Sequence, residues 1–181
     1  IAVDLKTPGG LQVLKRLTAR ADVLTENYRK GALERLGVGY EALRAVNPAL
    51  IYCAISGYGR SGPAADKGGF DLIAQGVSGL MSITGEPDGT PGGGPQKVGV
   101  AVADLMTGMY AVAGILAALR HAEASGEGQH IDLALLDTQV GWLANQAMNY
   151  LVGGNVPQRQ GTAHPNIVPY QVMPSADGHF M

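Results

Sequence analysis

One acidic residue stands between two apolar stretches, and any fold of this chain has to accommodate it. Gly99-Val-Ala-Val-Ala-Asp-Leu-Met-Thr-Gly-Met-Tyr110 runs small and apolar up to Asp104, and a long apolar helical pattern follows over residues 105–123. Ala, Ile, Leu and Met crowd most faces of that helix, so it needs cover on more than one side. A carboxylate at such a junction is costly unless it is hydrogen-bonded or employed in chemistry. Asp is a preferred N-cap, and Thr107 would then fall at N3, so the spacing supports capping. The same position would hold the carboxylate ionised through the helix dipole, which is the state a carboxylate nucleophile requires. On residue chemistry alone both roles stay open.

The rest of the chain bounds what that carboxylate can serve. With 181 residues, 46% hydrophobic and 15% charged, the chain can bury a real core and is no disordered polymer. Thirteen basic against 15 acidic residues give a net charge of −2, and no basic run exists, so no nucleic-acid partner is expected. The single cysteine, Cys53, excludes an internal disulfide and a cysteine-based zinc site. No uninterrupted apolar stretch reaches the ~18 residues of a membrane span, because Arg120, His121 and Glu123 stop the 111–119 run, and no membrane partner is expected. The opening Ile-Ala-Val-Asp-Leu5 reads as a strand, and Ser175-Ala-Asp-Gly-His-Phe-Met181 reads as a hairpin turn at Asp177-Gly178 entering a further strand. The expectation is a piece of a longer chain, incomplete at both ends, and a cytoplasmic protein.

Between those ends, apolar strand-length runs alternate with helical periodicity. Residues 2–5 are the first strand candidate. Thr7-Pro8 starts a helix to about Ala21, with Thr7 as N-cap and Pro8 at N1. Residues 22–25 form a second strand, ending in the polar loop Glu26-Asn-Tyr-Arg-Lys-Gly31. Helices are expected over 32–36 and 40–46, the latter broken by Asn47-Pro48. Leu50-Ile-Tyr-Cys-Ala-Ile55 is continuously apolar, the signature of a parallel strand covered on both faces. Helices over 70–81, 105–123 and 137–151, a glycine-rich surface loop over 85–94 and a strand over 130–135 follow. This alternation predicts an α/β fold with a doubly wound, mostly parallel, Rossmann-like sheet. Residues 1–154 form its central part, and 155–181 form a connecting segment.

Individual motifs are mostly bland. Gly57-Tyr-Gly-Arg-Ser-Gly62 fits G-x-G-x-x-G after a strand, but Pro63 follows and helical periodicity resumes only near Phe70, so the dinucleotide reading fails. It is a glycine-rich loop at a strand's carboxyl end. Asp71 reads as a cap or first-turn residue. Asn27, Tyr28, Arg29, Lys30 and Arg35 surround a strand end, where open α/β sheets bind ligands, although a solvated loop has the same composition. Lys67 has the same standing. His164 lies in an irregular, rather apolar stretch, no H-x-x-H pattern exists, and no metal site is expected. Cys53 is a small buried apolar residue.

Taken together, these segments resemble the class III coenzyme A transferases, the CaiB/BaiF group. The likeness is carried in order by Ala2–Lys6, Asp22-Val-Leu-Thr-Glu-Asn-Tyr28, residues 31–40, Ile55-Ser-Gly-Tyr-Gly-Arg-Ser-Gly-Pro63, Phe70-Asp-Leu-Ile-Ala-Gln-Gly76, Ser82-Ile-Thr-Gly-Glu-Pro87, residues 104–110 and Ser125-Gly-Glu-Gly-Gln129. The resemblance implies an acyl-CoA donor, a small carboxylic acid acceptor, coenzyme A as the carried group, no metal, and a homodimer when full length. It implies Asp104 as the nucleophile of a covalent aspartyl mechanism, Asp71 as an acidic neighbour of the reacting centre, and Asn27, Tyr28, Arg35 and Lys67 as residues that hold CoA. The related α-methylacyl-CoA racemases would need a histidine where this chain has Phe70, and a phenyl ring cannot carry a proton. A CoA-binding piece without catalysis is the third reading. Arg159, His164 and Asn166 mark where acceptor selectivity is expected, with a dicarboxylate suggested by the arginine and amide groups.

Overall fold

The structure, a computed structural model, describes residues 1–181. Its centre is a three-stranded parallel sheet in the order β1-β2-β3, with β1 at Val23–Glu26, β2 at Ile51–Ser56 and β3 at His130–Ala134. Val23 pairs with Ile51, and Tyr52 with His130, so the short strands leave their carboxyl ends side by side. In β2, Ile51 to Ala54 are all buried, as expected of a strand covered on both faces. On one face Leu33, Val38, Leu43, Leu50, Tyr52 and Ala54 form the principal core. The helices α1 (Pro8–Thr18), α2 (Ala32–Arg35) and α3 (Tyr40–Arg44) supply that cover, and Tyr40 stacks on His130 at 4.7 Å. Burial, with Glu34 nearby, pushes the Tyr52 hydroxyl up to about 12. The other face is covered by α6 (Val102–Ser125), which packs on β2, β3 and on the helices α4 (Asp71–Ser78) and α7 (Leu135–Gly141).

Helix ends follow local chemistry. Thr7 caps α1 by accepting from the Gly10 N–H at 3.1 Å, with Pro8 at the first helical position. At the other end Asn47 donates to the carbonyls of Thr18 and Ala21 at 3.1 and 2.9 Å. The expected breaker of the third helix thus also satisfies the tail of the first.

Several expected elements differ. Residues 2–5 form no strand: the chain turns at once, with Thr7 bonded to the Asp4 carbonyl, and an extended segment without a partner gains no ladder. The single helix expected over 70–81 is α4, a left-handed turn at Gly79 (φ 94°), and α5 (Leu80–Ile83). The one expected over 137–151 divides into α7 and α8 (Ala144–Leu151), with Ala144 at φ 47°. In the other direction α6 exceeds its expected range at both ends and reaches 24 residues with a mean hydropathy of 1.7 over its most apolar window. Length and composition alone would let such a helix cross a membrane, which counting uninterrupted apolar residues did not show. Here its small side chains Ala103, Thr107, Ala111 and Ala118 are buried.

Residues 155–181 contain no helix, but they are tied down. Arg159 donates to the Ser82 carbonyl at 2.8 Å and pairs with Asp88. The amides of Asn166 and Asn149 bond reciprocally. The expected turn at Asp177-Gly178 is present, with Gly178 at φ 83° and Pro174 bridged to Phe180.

One close approach shapes the loop after β2. A Cβ on Gly57 would sit 2.5 Å from the Gly69 Cα, and one on Gly69 equally close to the Gly57 Cα. Backbone meets backbone there, which only glycine permits. Gly57→Ala should therefore lower stability by roughly 1–3 kcal/mol, read as a shift of the urea midpoint.

Candidate functional site

A cleft of about 550 Å³ opens where the strands end, the position at which open α/β sheets bind ligands. Asn27, Tyr28, Arg29 and Lys30 follow β1 and form one wall. Ser56 and Gly57 at the end of β2 form the floor with Leu135, and Lys67 through Asp71 close another side. Asp104 and Gly108 enter from α6. Of the six residues expected at the site, Asn27, Tyr28, Lys67, Asp71 and Asp104 therefore share one cleft. Arg35 does not line it; it ends α2 as an exposed residue. Arg29 and Lys30 bring the positive charge of that wall.

Asp104 is not the N-cap of α6. The cap position is Ala101, which has no side-chain bond to offer, and Asp104 is third in the helix. The missing cap comes from another helix. Asp71 Oδ1 accepts from the Ala103 N–H at 2.8 Å and from the Asp104 N–H at 3.4 Å. Two first-turn donors of α6 are thus served by a carboxylate at the start of α4. Asp71 Oδ2 accepts from Gln75 Nε2 at 2.7 Å, so both of its oxygens are engaged.

This arrangement changes the electrostatics expected at Asp104. The donors that would have held its carboxyl low are taken by Asp71, whose own charge lies beside it. Partial burial first, and Asp71 second, push the Asp104 carboxyl above its ordinary 3.8. Capping therefore falls to Asp71, and Asp104 is left free on the cleft side of the helix.

The turn that carries Asp104 is fastened from below. The Thr107 and Thr138 hydroxyls share a hydrogen bond at 2.6 Å and reach the carbonyls of Ala103 and Leu135. Sequence reasoning also missed Arg60. Its guanidinium pairs with the buried Glu26 at the end of β1 and with Glu34 at 3.2 Å, and its backbone N–H donates to Asp132 at 2.9 Å. Glu26 in turn accepts from the Tyr28 N–H at 2.6 Å. This network ties the glycine loop that follows β2 to the end of β1, to α2 and to mid-β3, and it holds Tyr28 in the wall. The only trace of it in the sequence was an arginine inside a glycine-rich loop.

Arg159, His164 and Asn166 lie outside the cleft. Arg159 is spent on Ser82 and Asp88, while His164 Nδ1 accepts from the Asn166 N–H at 3.1 Å. Their bonds hold segment 155–181 in place. Phe70, by contrast, lines the cleft next to Asp71 with 71% of its surface exposed. Cys53 is buried in mid-strand, and burial pushes its thiol up.

The raised Asp104 carboxyl has a defined consequence. A folded value above the unfolded one stabilises the fold fully below the unfolded pKa, and that contribution disappears as pH rises through the folded pKa. Asp104→Asn should therefore gain stability relative to the parent as pH rises from about 4 to about 7. Urea midpoints of both proteins across that range check it, and a midpoint difference, variant minus parent, that falls or stays constant with rising pH would contradict it.

Comparison with known proteins gives these features a context. The family described as CoA-transferase family III matches residues 1–181. The succinate–glutarate CoA-transferase of Agrobacterium fabrum (strain C58) is 58% identical over 178 residues, covering 98% of this chain and 44% of that protein. The human succinyl-CoA:glutarate CoA-transferase is 45% identical over 181 residues, covering all of this chain and 40% of that protein. A CAIB/BAIF family protein of known structure from Brucella suis superposes with a TM-score of 0.90 at 50% identity, covering 99% of this chain and 46% of that one. The chain thus spans less than half the length of these relatives, and every part of it finds its counterpart. The chain belongs to CoA-transferase family III.

Proposed function

We propose that this chain is the CoA-binding, nucleophile-bearing part of an acyl-CoA:carboxylate CoA-transferase, with Asp104 as the nucleophile. The observation that carries the reading is the cleft itself. It gathers one carboxylate free of structural duty, Asp104, with Asn27, Tyr28, Arg29, Lys30 and Lys67 on the facing loops. Basic groups and amides suit the phosphates of coenzyme A, and a carboxylate is the group such a transfer needs for covalent storage.

In this reading an Asp104 oxygen attacks the thioester carbonyl of the donor. A C–O bond forms, the C–S bond breaks, and CoA leaves as thiolate, giving a mixed anhydride. The thiolate then attacks the aspartyl carbonyl, forming an aspartyl–CoA thioester and releasing the donor as a carboxylate. The acceptor carboxylate repeats the sequence in reverse, which restores Asp104. The thioester lost from the donor is regained on the acceptor, so the overall exchange is nearly thermoneutral and activation is kept if water is excluded. The raised pKa serves this chemistry, because a more basic carboxylate oxygen bonds carbon more readily once ionised.

Relatives named for succinate, succinyl-CoA and glutarate support dicarboxylic acyl groups as donor and acceptor. Arg159 is paired with Asp88 outside the cleft. A homodimer is the proposed assembly of the full-length protein. The exposed apolar residues Leu72, Ile73 and Val77 on α4, and Leu105, Met109, Val112 and Leu116 on α6, support it as surface that wants cover.

Full-length protein incubated with succinyl-CoA and quenched with hydroxylamine should carry a hydroxamate at Asp104, located by peptide mass. Asp104→Ala should lose both the adduct and transfer activity, by roughly 10³-fold or more. Transfer at the parental rate in that variant, with no adduct in the parent, would end the reading. Activity of the parent should fall on the acid side of its profile at a pH above the ordinary aspartate value of 3.8, since a protonated carboxyl is no nucleophile. Among the basic residues, Arg29→Ala and Lys67→Ala should each raise KM for acyl-CoA by about tenfold, whereas Arg35→Ala should leave it unchanged.

A further inference from the structure

Gln75 is fully buried in α4, one turn after Asp71 and on the same helix face. Both ends of its amide are employed. Nε2 donates to Asp71 Oδ2 at 2.7 Å and reaches the Val100 carbonyl at 3.5 Å, while Oε1 accepts from the Val98 N–H at 2.9 Å. The side chain does not line the cleft. Its contacts run instead to the two things that determine where Asp104 stands: the carboxylate that caps α6, and the backbone that delivers the chain into α6.

We propose that Gln75 is a positioning residue for Asp104. Its amide turns Asp71 so that Oδ1 stays on the first-turn N–H groups of α6, and it pins residues 98–100 so that α6 begins at one place against α4. The inference rests on the reading of Asp104 as nucleophile. Without the amide, Asp71 is free to rotate off the helix end, and the Val98 N–H loses its partner inside the protein. The first turn of α6 would then drift, and a displacement of about 1 Å at a reacting group is enough to lower rate by about 10²-fold.

The chemistry of the contact supplies its own test. A protonated carboxylic acid can replace the amide, donating O–H to Asp71 and accepting from Val98. An ionised one cannot donate, and it sets a second carboxylate against Asp71. In the full-length protein, Gln75→Met should therefore lower kcat roughly 10- to 100-fold at every pH, with the Kd for CoA unchanged by calorimetry. Gln75→Glu should match the parent at low pH and then lose kcat through a new basic limb as the introduced acid ionises. Near-UV circular dichroism gives the folded fraction, so that kcat is expressed per folded molecule.

The proposal is overturned if Gln75→Met keeps the parental kcat, if kcat and CoA binding fall together, or if Gln75→Glu follows the parental pH profile. Asp104→Ala measured alongside separates the two levels. Transfer lost in Asp104→Ala but normal in Gln75→Met removes only the positioning role. Transfer that survives Asp104→Ala removes the nucleophile, and with it both readings.

Discussion

The carboxylate of Asp71 joins two helices that would otherwise meet only through apolar contact. It sits at the first position of α4 and accepts from the first-turn N–H groups of α6. A helix N-terminus beside apolar surroundings needs its orphan donors satisfied, and Ala101 at the cap position cannot do it. By supplying the acceptor from a second helix, the fold makes the start of α6 and the start of α4 one rigid corner. The cleft is built on that corner, and Asp104 projects from it.

The division of labour between the two acids follows from the geometry. Two carboxylates close together cannot both be held by the same donors, and the one that takes them leaves the other less favoured as an anion. Asp71 takes them, and partial burial first and the Asp71 charge second leave Asp104 a more basic carboxylate facing the open side. The facing loops are held by equally specific means. Arg60 and Glu26 join the glycine loop to β1, and the contact of Gly57 with Gly69 folds that loop back on itself. A buried ion pair of this kind is weak evidence for stability but a strong fixer of position, because displacing either partner leaves a charge uncompensated.

Elements with a strong periodic signal were legible. The parallel sheet, the buried β2, the Thr7-Pro8 start of α1 and the long α6 all follow from local patterns that the fold reinforces. Helix breaks at Gly79 and around Ala144 were not, since apolar periodicity continues through them and only packing decides where the axis turns. The first strand candidate failed for the opposite reason. Residues 2–5 have strand composition, but no neighbouring strand pairs with them.

For the site, residue type and junction position were enough to mark Asp104 as a carboxylate that had to be capped or employed, because an acid beside a buried helix has few tolerable fates. Asn27, Tyr28, Lys67 and Asp71 were marked as its company only by the resemblance to the class III coenzyme A transferases, since a solvated loop or a helix cap has the same composition. Which acid caps and which stays free could not be read from spacing. Asp71 and Asp104 lie 33 residues apart along the chain, and a bond across that distance exists only once α4 and α6 have packed. The same holds for the exclusion of Arg35 and Arg159 from the cleft. A side chain's reach is set by where its backbone is held, and that is a property of the assembled sheet and helices.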